Sequence, residues 1–437
     1  VLEARKESAA DSLDEVRAEA VKDMKRLAAF GKLQNEASTY HLLAVSDGLE
    51  AVGEMFNKVP AGQTEPAAPL PVFRQTNVSR MQSDQSQPQL ADQSFRDQVL
   101  ALAEAVGPLT VPGADNLAQR TTVAPLPGAL GGVSLIGVPT DIGAGTLGAR
   151  MGPEAMRVAG LASALQRFGL DVKDCGNLAG PANPWLDAVN GFRHLGEVVQ
   201  WNQLLHEAMF AELQGGRLPI MLGGDHCLAI GSISAVARHC RARGKKLRVL
   251  WFDAHADFNT ATLTPSGNIH GMPVACLCGH GPQELVSIGG QVPALNPRDL
   301  RQIGIRSVDA GEKRLVHDIG IEVFDMRYID EMGMRHAMEL ALALVDPNTH
   351  LHVSLDVDFL DPDIAPGVGT TVRGGPTYRE AQLCMEMIAD TGRLASLDVV
   401  ELNPALDVRN QTAELAVDLI ESLFGKSTLM RTPGGRP

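Results

Sequence analysis

The stretch Leu247-Arg-Val-Leu-Trp-Phe-Asp-Ala-His-Ala-Asp-Phe-Asn-Thr260 joins a mostly apolar run to Asp253, His255 and Asp257, which stand at every second position. Alternate side chains of an extended strand point to the same side, so these three groups should leave one face together at the end of a buried strand. Two carboxylates and an imidazole held so close favour a cation between them. Taken alone, the triplet fits equally well a polar strand end whose groups bond to neighbouring backbone.

Two other predicted strands end in similar residues. Met221-Leu-Gly-Gly-Asp-His226 closes one apolar run with a histidine beyond two glycines, and Ser354-Leu-Asp-Val-Asp358 repeats the alternation of acids. The carboxyl ends of parallel strands form the edge at which open α/β sheets bind ligands. The candidate metal ligands are therefore His226, Asp253, His255, Asp257, Asp356 and Asp358.

This ligand set contains four carboxylates, two imidazoles and no thiolate. It suffices for two divalent ions that share carboxylates, and its oxygen content favours Mn²⁺ over structural Zn²⁺. Two ions ~3.5–4 Å apart can hold a bridging water as hydroxide near neutral pH. The six cysteines form no CxxC pair and are predicted to be reduced and mostly buried.

From residue 133 onward, short apolar runs alternate with helical stretches. The predicted strands cover residues 133–138, 218–222, 247–252, 300–305, 352–355 and 397–400. The predicted helices cover residues 153–168, 194–214, 229–243, 334–344, 377–390 and 413–424. Near-continuous apolar strands between helices predict an α/β fold, a three-layer α/β/α arrangement with a mostly parallel central sheet.

The remaining sequence predicts two accessory segments before this domain. Residues 1–59 read as a helical N-terminal extension, in which Ser12 and Glu15 can form a capping box. Residues 60–130 are rich in Pro, Gln, Ser and Ala and predict a low-complexity linker, with a possible short helix over residues 95–106. The predicted catalytic domain covers residues 131–432.

Composition narrows the class of protein. The net charge of -14 argues against nucleic acid as a partner. The chain has no apolar run of transmembrane length and no signal peptide, so we expect a cytoplasmic protein without membrane contact. Gly143-Ala-Gly-Thr-Leu-Gly148 matches a dinucleotide fingerprint, but four residues separate it from its strand, and we predict only a loop there.

Several motifs, taken in order, resemble the arginase–agmatinase (ureohydrolase) family between about residues 131 and 430. They are Gly137-Val-Pro-Thr-Asp-Ile-Gly143, Gly152-Pro153, Gly223-Gly-Asp-His226, Asp253-Ala-His-Ala-Asp257, Ser354-Leu-Asp-Val-Asp358 and Glu401-Leu-Asn-Pro404. The resemblance implies an arginase-like fold, two Mn²⁺ per subunit and a homo-trimer or homo-hexamer. It assigns one ion to His226, Asp253, Asp257 and Asp356, and the other to Asp253, His255, Asp356 and Asp358.

The resemblance also implies substrate contacts. Asn259, Ser266 and Asn268 match residues that bind the α-carboxylate of arginine in arginases, and Asp309 and Glu312 match residues that receive its α-amino group. His270 matches the proton-carrying histidine, Glu401 the acid that pairs with the guanidinium, and Thr370 another substrate-side position. Asp257 is expected to help carry the proton to the leaving nitrogen.

The expected function is hydrolysis of L-arginine to L-ornithine and urea by attack of a metal-bridging hydroxide on the guanidinium carbon. One alternative is another ureohydrolase, either an agmatinase or a guanidino-acid hydrolase. A second is a catalytically silent scaffold that acts through the helical N-terminal segment. A fold-sharing deacetylase with one zinc ion fits the carboxylate-rich ligand set less well.

Overall fold

The computed structural model describes residues 132–426, which form an eight-stranded sheet with helices on both faces. The strand order is β2-β1-β3-β8-β7-β4-β5-β6, and every pairing is parallel. The strands are β1 (Val133–Gly137), β2 (Val172–Asn177), β3 (Leu218–Leu222), β4 (Lys246–Phe252), β5 (Leu300–Ile303), β6 (Glu322–Phe324), β7 (Thr349–Asp356) and β8 (Leu394–Val400).

The helices divide between the two faces of the sheet. Helices α1, α2 and α8–α11 pack on one face, and α3–α7 pack on the other. Their bounds are α1 (Gly152–Val158), α2 (Leu161–Gln166), α3 (Leu195–Gln214), α4 (Ala229–Arg243), α5 (Pro273–Leu277), α6 (Gln283–Val286), α7 (Ala310–Ile319), α8 (Met326–Met332), α9 (Met334–Ala341), α10 (Tyr378–Thr391) and α11 (Gln411–Leu423). The predicted three-layer α/β/α fold is confirmed.

Burial on both faces explains why the central strands were readable from sequence. In β4, Leu250 and Phe252 belong to the core on one face, whereas Val249 and Trp251 belong to the core on the other. A strand covered on both sides has no polar face, and it therefore appears as a continuous apolar run. None of the helices within residues 132–426 is long and apolar enough to cross a membrane.

Some elements differ from their predictions. The helix predicted over residues 153–168 is two helices, because Gly160 between them has a φ of 84°. Strand β7 is longer than residues 352–355, since the buried His350 and His352 interrupt its apolar pattern. Strands β2 and β6 and helices α5, α6, α7 and α8 were not predicted. Both strands lie at sheet edges, and β2 is largely exposed, so neither needs a continuous apolar run.

The N-terminal predictions concern a different part of the chain. The helical extension of residues 1–59 and the linker of residues 60–130, with its possible helix, lie outside the described residues. The bounds 131–432 assigned to the catalytic domain stay a prediction.

A close backbone crossing at Gly224 fixes the turn that follows β3. Gly224 donates its N–H to Val138 O and accepts a bond from the N–H of Glu401. A Cβ at this position would lie 1.6 Å from the carbonyl oxygen of Thr140. Only glycine fits between these backbone segments of the chain. Their crossing places His226 at the carboxyl edge of the sheet.

Replacing Gly224 with Ala should therefore destabilise the domain by at least about 2 kcal/mol, because the backbone of Thr140 must move. The measurement is the midpoint of urea unfolding for the metal-free full chain. Gly196→Ala is the matched control, since a Cβ there meets nothing within 4 Å. In the first turn of α3, alanine should be neutral or stabilising by up to about 1 kcal/mol. Equal midpoints for the two variants would contradict the argument.

Candidate functional site

The predicted site residues converge on one cavity at the carboxyl edge of the sheet. The cavity has a volume of about 200 Å³ and contains every predicted site residue except Asp253. Those residues are His226, His255, Asp257, Asn259, Ser266, Asn268, His270, Asp309, Glu312, Asp356, Asp358, Thr370 and Glu401. Asp253 is fully buried beneath them.

His226 lies at the centre of a group of carboxylates. Its Nδ1 is 3.1 Å from Asp253 Oδ2, 3.3 Å from Asp257 Oδ2 and 3.1 Å from Asp356 Oδ2. This nitrogen is buried and has no hydrogen-bond partner among residues 132–426. Three carboxylate oxygens thus surround one ring nitrogen, and no hydrogen bond joins that nitrogen to any of them. This arrangement is suited to a cation bound between the four atoms. His226, Asp253 and Asp356 form one of the two groups in the described chain whose ligand atoms could hold a metal ion.

The second such group is Asp253, His255 and Asp358. His255 Nδ1 lies 3.0 Å from Asp358 Oδ2 and 3.5 Å from Asp253 Oδ1. Asp253 belongs to both groups, so one carboxylate can serve two neighbouring ions. The donor set, rich in oxygen and without sulfur, suits Mn²⁺ or a similar hard cation.

Burial and mutual repulsion perturb the ionisation of this cluster. Burial together with Asp253 raises the pKa of Asp257 to about 7, and burial with Asp358 and Asp253 raises the pKa of Asp356 well above its ordinary value. Burial lowers the pKa of His255, but Asp358 and Asp253 outweigh it and raise the value to about 12. Without a metal, protons bound to these acids and to His255 offset the negative charge of the cluster. Bound cations would offset the same charge in place of those protons.

Two side chains that lie within the quoted stretches but were not predicted as site residues hold the buried candidate ligands. Trp251 donates its indole N–H to Asp253 Oδ2 at 2.9 Å and stacks on His226, with ring centroids 4.0 Å apart. Ser354 Oγ lies 2.9 Å from His226 Nε2, so the other ring nitrogen is left for the carboxylates. Both residues precede a ligand by two positions, and the alternation of a strand could have indicated them.

Two acids of the cavity stand at strained backbone positions. Asp257 has a φ of 50° and Glu401 a φ of 62°, a region that non-glycine residues rarely adopt. Glu401 follows β8 directly, and Asp257 lies five residues after the end of β4. The left-handed turns direct both side chains into the cavity, and such strain is concentrated at functional sites.

Glu401 is bound to two neighbours through one oxygen. Its Oε1 accepts the backbone N–H of His226 at 2.9 Å and lies 3.0 Å from His270 Nδ1. Burial raises the pKa of Glu401, but the charge and hydrogen bond of His270 outweigh it and lower the pKa. Burial lowers the pKa of His270, but Glu401 raises it to about 9. The pair is an ion pair at neutral pH, and the second oxygen of Glu401 is available to a ligand.

Polar side chains line the end of the cavity remote from the carboxylate cluster. Asn259 Nδ2 donates to Asp309 Oδ2 at 3.0 Å, and Arg193, a residue that the sequence analysis missed, donates from Nε to Asn268 Oδ1 at 3.0 Å. Ser266 Oγ accepts the N–H of Asn268 at 3.2 Å. Arg193 belongs to no motif, and only the fold brings it here.

Thr370 and Glu312 already have partners within the cavity wall. Thr370 donates to Asp358 Oδ2 at 3.0 Å, on the side of the carboxylate cluster. Both oxygens of Glu312 accept backbone N–H groups, from Phe258 at 2.7 Å and from Asp309 at 3.0 Å. Glu312 therefore holds the loop that carries Asn259 and completes the cap of α7.

The sequence of this chain is similar to those of known arginases. The Arginase family model matches residues 132–425. An arginase of Bacillus caldovelox is 45% identical over 300 residues, covering 68% of this chain and 99% of its own. An arginase of Brucella melitensis biotype 1 is 46% identical over 303 residues, covering 68% of this chain and 97% of its own.

Solved structures agree in fold. The native Bacillus caldovelox arginase superimposes with a TM-score of 0.65 at 44% identity and covers 68% of this chain and 99% of its own. The Entamoeba histolytica arginase, solved with L-ornithine, gives a TM-score of 0.61 at 32% identity and covers 67% of this chain and 98% of its own.

The shared position of Asp253 predicts how metal content responds to substitution. Asp253→Asn should lose both ions after dialysis, because Asp253 belongs to both ligand groups. Asp358→Asn should keep the ion of the other group. Asp363→Asn is the control, since this carboxylate is exposed in the loop after β7. Elemental analysis gives metal per subunit, and loss of only one ion from the Asp253 variant would contradict a shared ligand.

Proposed function

The chain belongs to the arginase family of hydrolases, and from that premise we propose that it hydrolyses L-arginine to L-ornithine and urea with two Mn²⁺ per subunit. The observation that carries the proposal is that one cavity is lined both by the buried acids and by the neutral side chains Asn259, Ser266 and Asn268, which can donate hydrogen bonds. A substrate that is cationic at one end and zwitterionic at the other matches both.

We assign the first ion to His226, Asp253, Asp257 and Asp356, and the second to Asp253, His255, Asp356 and Asp358. The contacts that support this are the convergence on His226 Nδ1 and the approach of His255 to Asp358. When bound, two divalent ions would lower the pKa of a water and offset negative charge that develops in the reaction.

Glu401 is the proposed partner of the guanidinium. It is buried and ionised, and its Oε1 is held by His226 and His270, which leaves Oε2 for the substrate. A planar guanidinium forms hydrogen bonds of defined direction with a carboxylate. This contact would therefore hold the guanidinium carbon beside the acid cluster. Trp251 and Ser354 act here as positioning residues, because they hold Asp253 and His226.

In the reaction, a water oxygen bonds to the guanidinium carbon, and the bond from that carbon to the chain nitrogen of arginine breaks. The water loses its protons as its oxygen becomes the carbonyl oxygen of urea, and the departing nitrogen gains them to leave as an ammonium group. Asp257 lies at the cluster and is assigned the transfer to that nitrogen, and His270, which borders the cavity, is assigned exchange with solvent.

The amino-acid end of the substrate determines specificity in this proposal. Asn259, Ser266 and Asn268 offer neutral donors to the α-carboxylate, and Asp309 offers an acid to the α-amino group. Glu312 contributes to the amino-group site mainly through Asp309, since its own oxygens bond to backbone. Thr370 borders the site through its bond to Asp358.

Other readings of the chain are less well supported. An agmatinase needs no site for a carboxylate, a guanidino-acid hydrolase needs none for an amine, and this cavity offers both. A silent scaffold has no need of buried acids that cost folding energy. The cytoplasmic location and the homo-trimer or homo-hexamer implied by the family resemblance stay predictions.

A three-substrate assay tests the function. With Mn²⁺, the full chain should release urea from L-arginine at a kcat/KM at least about tenfold above that for agmatine or 5-guanidinopentanoate, since each analogue is arginine without one charged group that the cavity can bind. A preference for agmatine would overturn the specificity while leaving the fold and the metal assignments in place.

Two variants should separate the two halves of the amino-acid site. Asn268→Ala should lower kcat/KM about 10–100-fold for substrates with a carboxylate, arginine and 5-guanidinopentanoate, and spare agmatine. Asp309→Asn should show the opposite pattern among the analogues, with arginine and agmatine affected and 5-guanidinopentanoate spared. Uniform loss on all three substrates would mean that these residues support the fold instead of the substrate.

A further inference from the structure

A second cavity lies at the opposite, amino-terminal edge of the sheet. Its volume is about 520 Å³, and it is bordered by the end of α4, the starts of β4 and β7, and the loop before β5. Four cationic side chains line it, with one carboxylate. The cations are Arg241, Lys245, Lys246 and Arg248, and the acid is Asp299. This balance contrasts with the net charge of -14 for the whole chain.

Arg248 distinguishes this cavity from an ordinary basic surface. The residue is only 8% exposed, and its Nη1 is buried with no hydrogen-bond partner among residues 132–426. Burial and the nearby charge of Arg301 lower the pKa of Arg248 to about 10, and they outweigh the opposing charges of Asp299 and Glu322. The structure of the described residues contains no ion pair between Arg248 and Asp299 within 4.0 Å. A buried guanidinium without a carboxylate partner is costly, and an anion would compensate that cost.

The remaining cations are arranged so that they can reach the same ligand. Lys245 and Arg241 are exposed at the rim, and Arg241 is held over the cavity by its bonds to Ala294 O at 3.4 Å and Gly289 O at 3.2 Å. Lys246 is partly neutralised by Asp346 at 2.6 Å. A buried arginine with two cations at the rim is a suitable arrangement for an oxyanion.

We propose that this cavity binds a small, multiply charged oxyanion, a phosphate or a polycarboxylate, with Arg248 as its buried partner. The site is separate from the catalytic cavity, because β4 begins at one and ends at the other. Binding to the folded chain alone would stabilise it in proportion to anion concentration.

The experiment compares thermal unfolding of the full chain in phosphate, malonate and chloride at matched ionic strength. Phosphate or malonate should raise the midpoint of the wild type by about 2–4 °C more than chloride does, and the larger shift identifies the preferred anion class. Arg248→Met keeps the volume and removes the charge, so it should abolish this excess shift. It should also leave the anion-free protein at least as stable, since it removes an unpaired buried charge.

Surface variants keep the test decisive even where Arg248→Met does not fold. Lys245→Ala should weaken phosphate binding about 5–10-fold by calorimetric titration, whereas Arg243→Ala, an exposed change just outside the cavity, should leave it unaltered. General salt effects on protein hydration would move all variants equally. An equal excess shift in Arg248→Met and wild type, or equal binding by Lys245→Ala and Arg243→Ala, would overturn the proposal.

Discussion

Buried carboxylates that share one imidazole are the constraint on which the rest of this structure depends. Three acids approach within 3.1–3.3 Å of His226 Nδ1, and ions removed from water in this way need close positive charge. The surroundings therefore fix each acid separately. Asp253 accepts bonds from the indole of Trp251 and from the N–H of His255, and Asp358 accepts bonds from Ala254 and Thr370. Few of these side chains can move without another losing its partner.

A single loop connects the two ends of the catalytic cavity. It leaves β4, carries Asn259 and Asn268, and returns at His270, which contacts Glu401. Neighbouring segments clamp it at both extremities, through Asp309 on one side and Arg193 on the other. In the proposed function, this loop sets the distance between the residues assigned to the guanidinium and those assigned to the amino-acid end, so it can discriminate substrates by length as well as by charge.

Sequence reasoning succeeded where burial imposes a pattern and failed where only the fold creates the contact. The central strands β3, β4 and β8 were predictable because both their faces are covered, whereas the edge strands β2 and β6 carry no such pattern. The candidate ligands were predictable because acids and histidines follow apolar strands closely, although Asp253, His255 and Asp257 lie beyond the end of β4 and not on the strand itself. Arg193 was not, since its partner Asn268 lies 75 positions away. The backbone bonds of Glu312 were equally hidden, because a motif fixes a position but not its hydrogen bonds.

The position of β8 has a consequence for how the chain is made. It is the last strand of residues 132–426, yet it lies between β3 and β7 in the middle of the sheet. During synthesis, β2, β1 and β3 on one side and β7, β4, β5 and β6 on the other cannot be joined natively until residue 400 has left the ribosome. Until then, the edges of β3 and β7 that will bind β8 stay unpaired, and unpaired strand edges can form hydrogen bonds with other chains. The nascent protein is thus most vulnerable to aggregation just before its final strand closes the sheet.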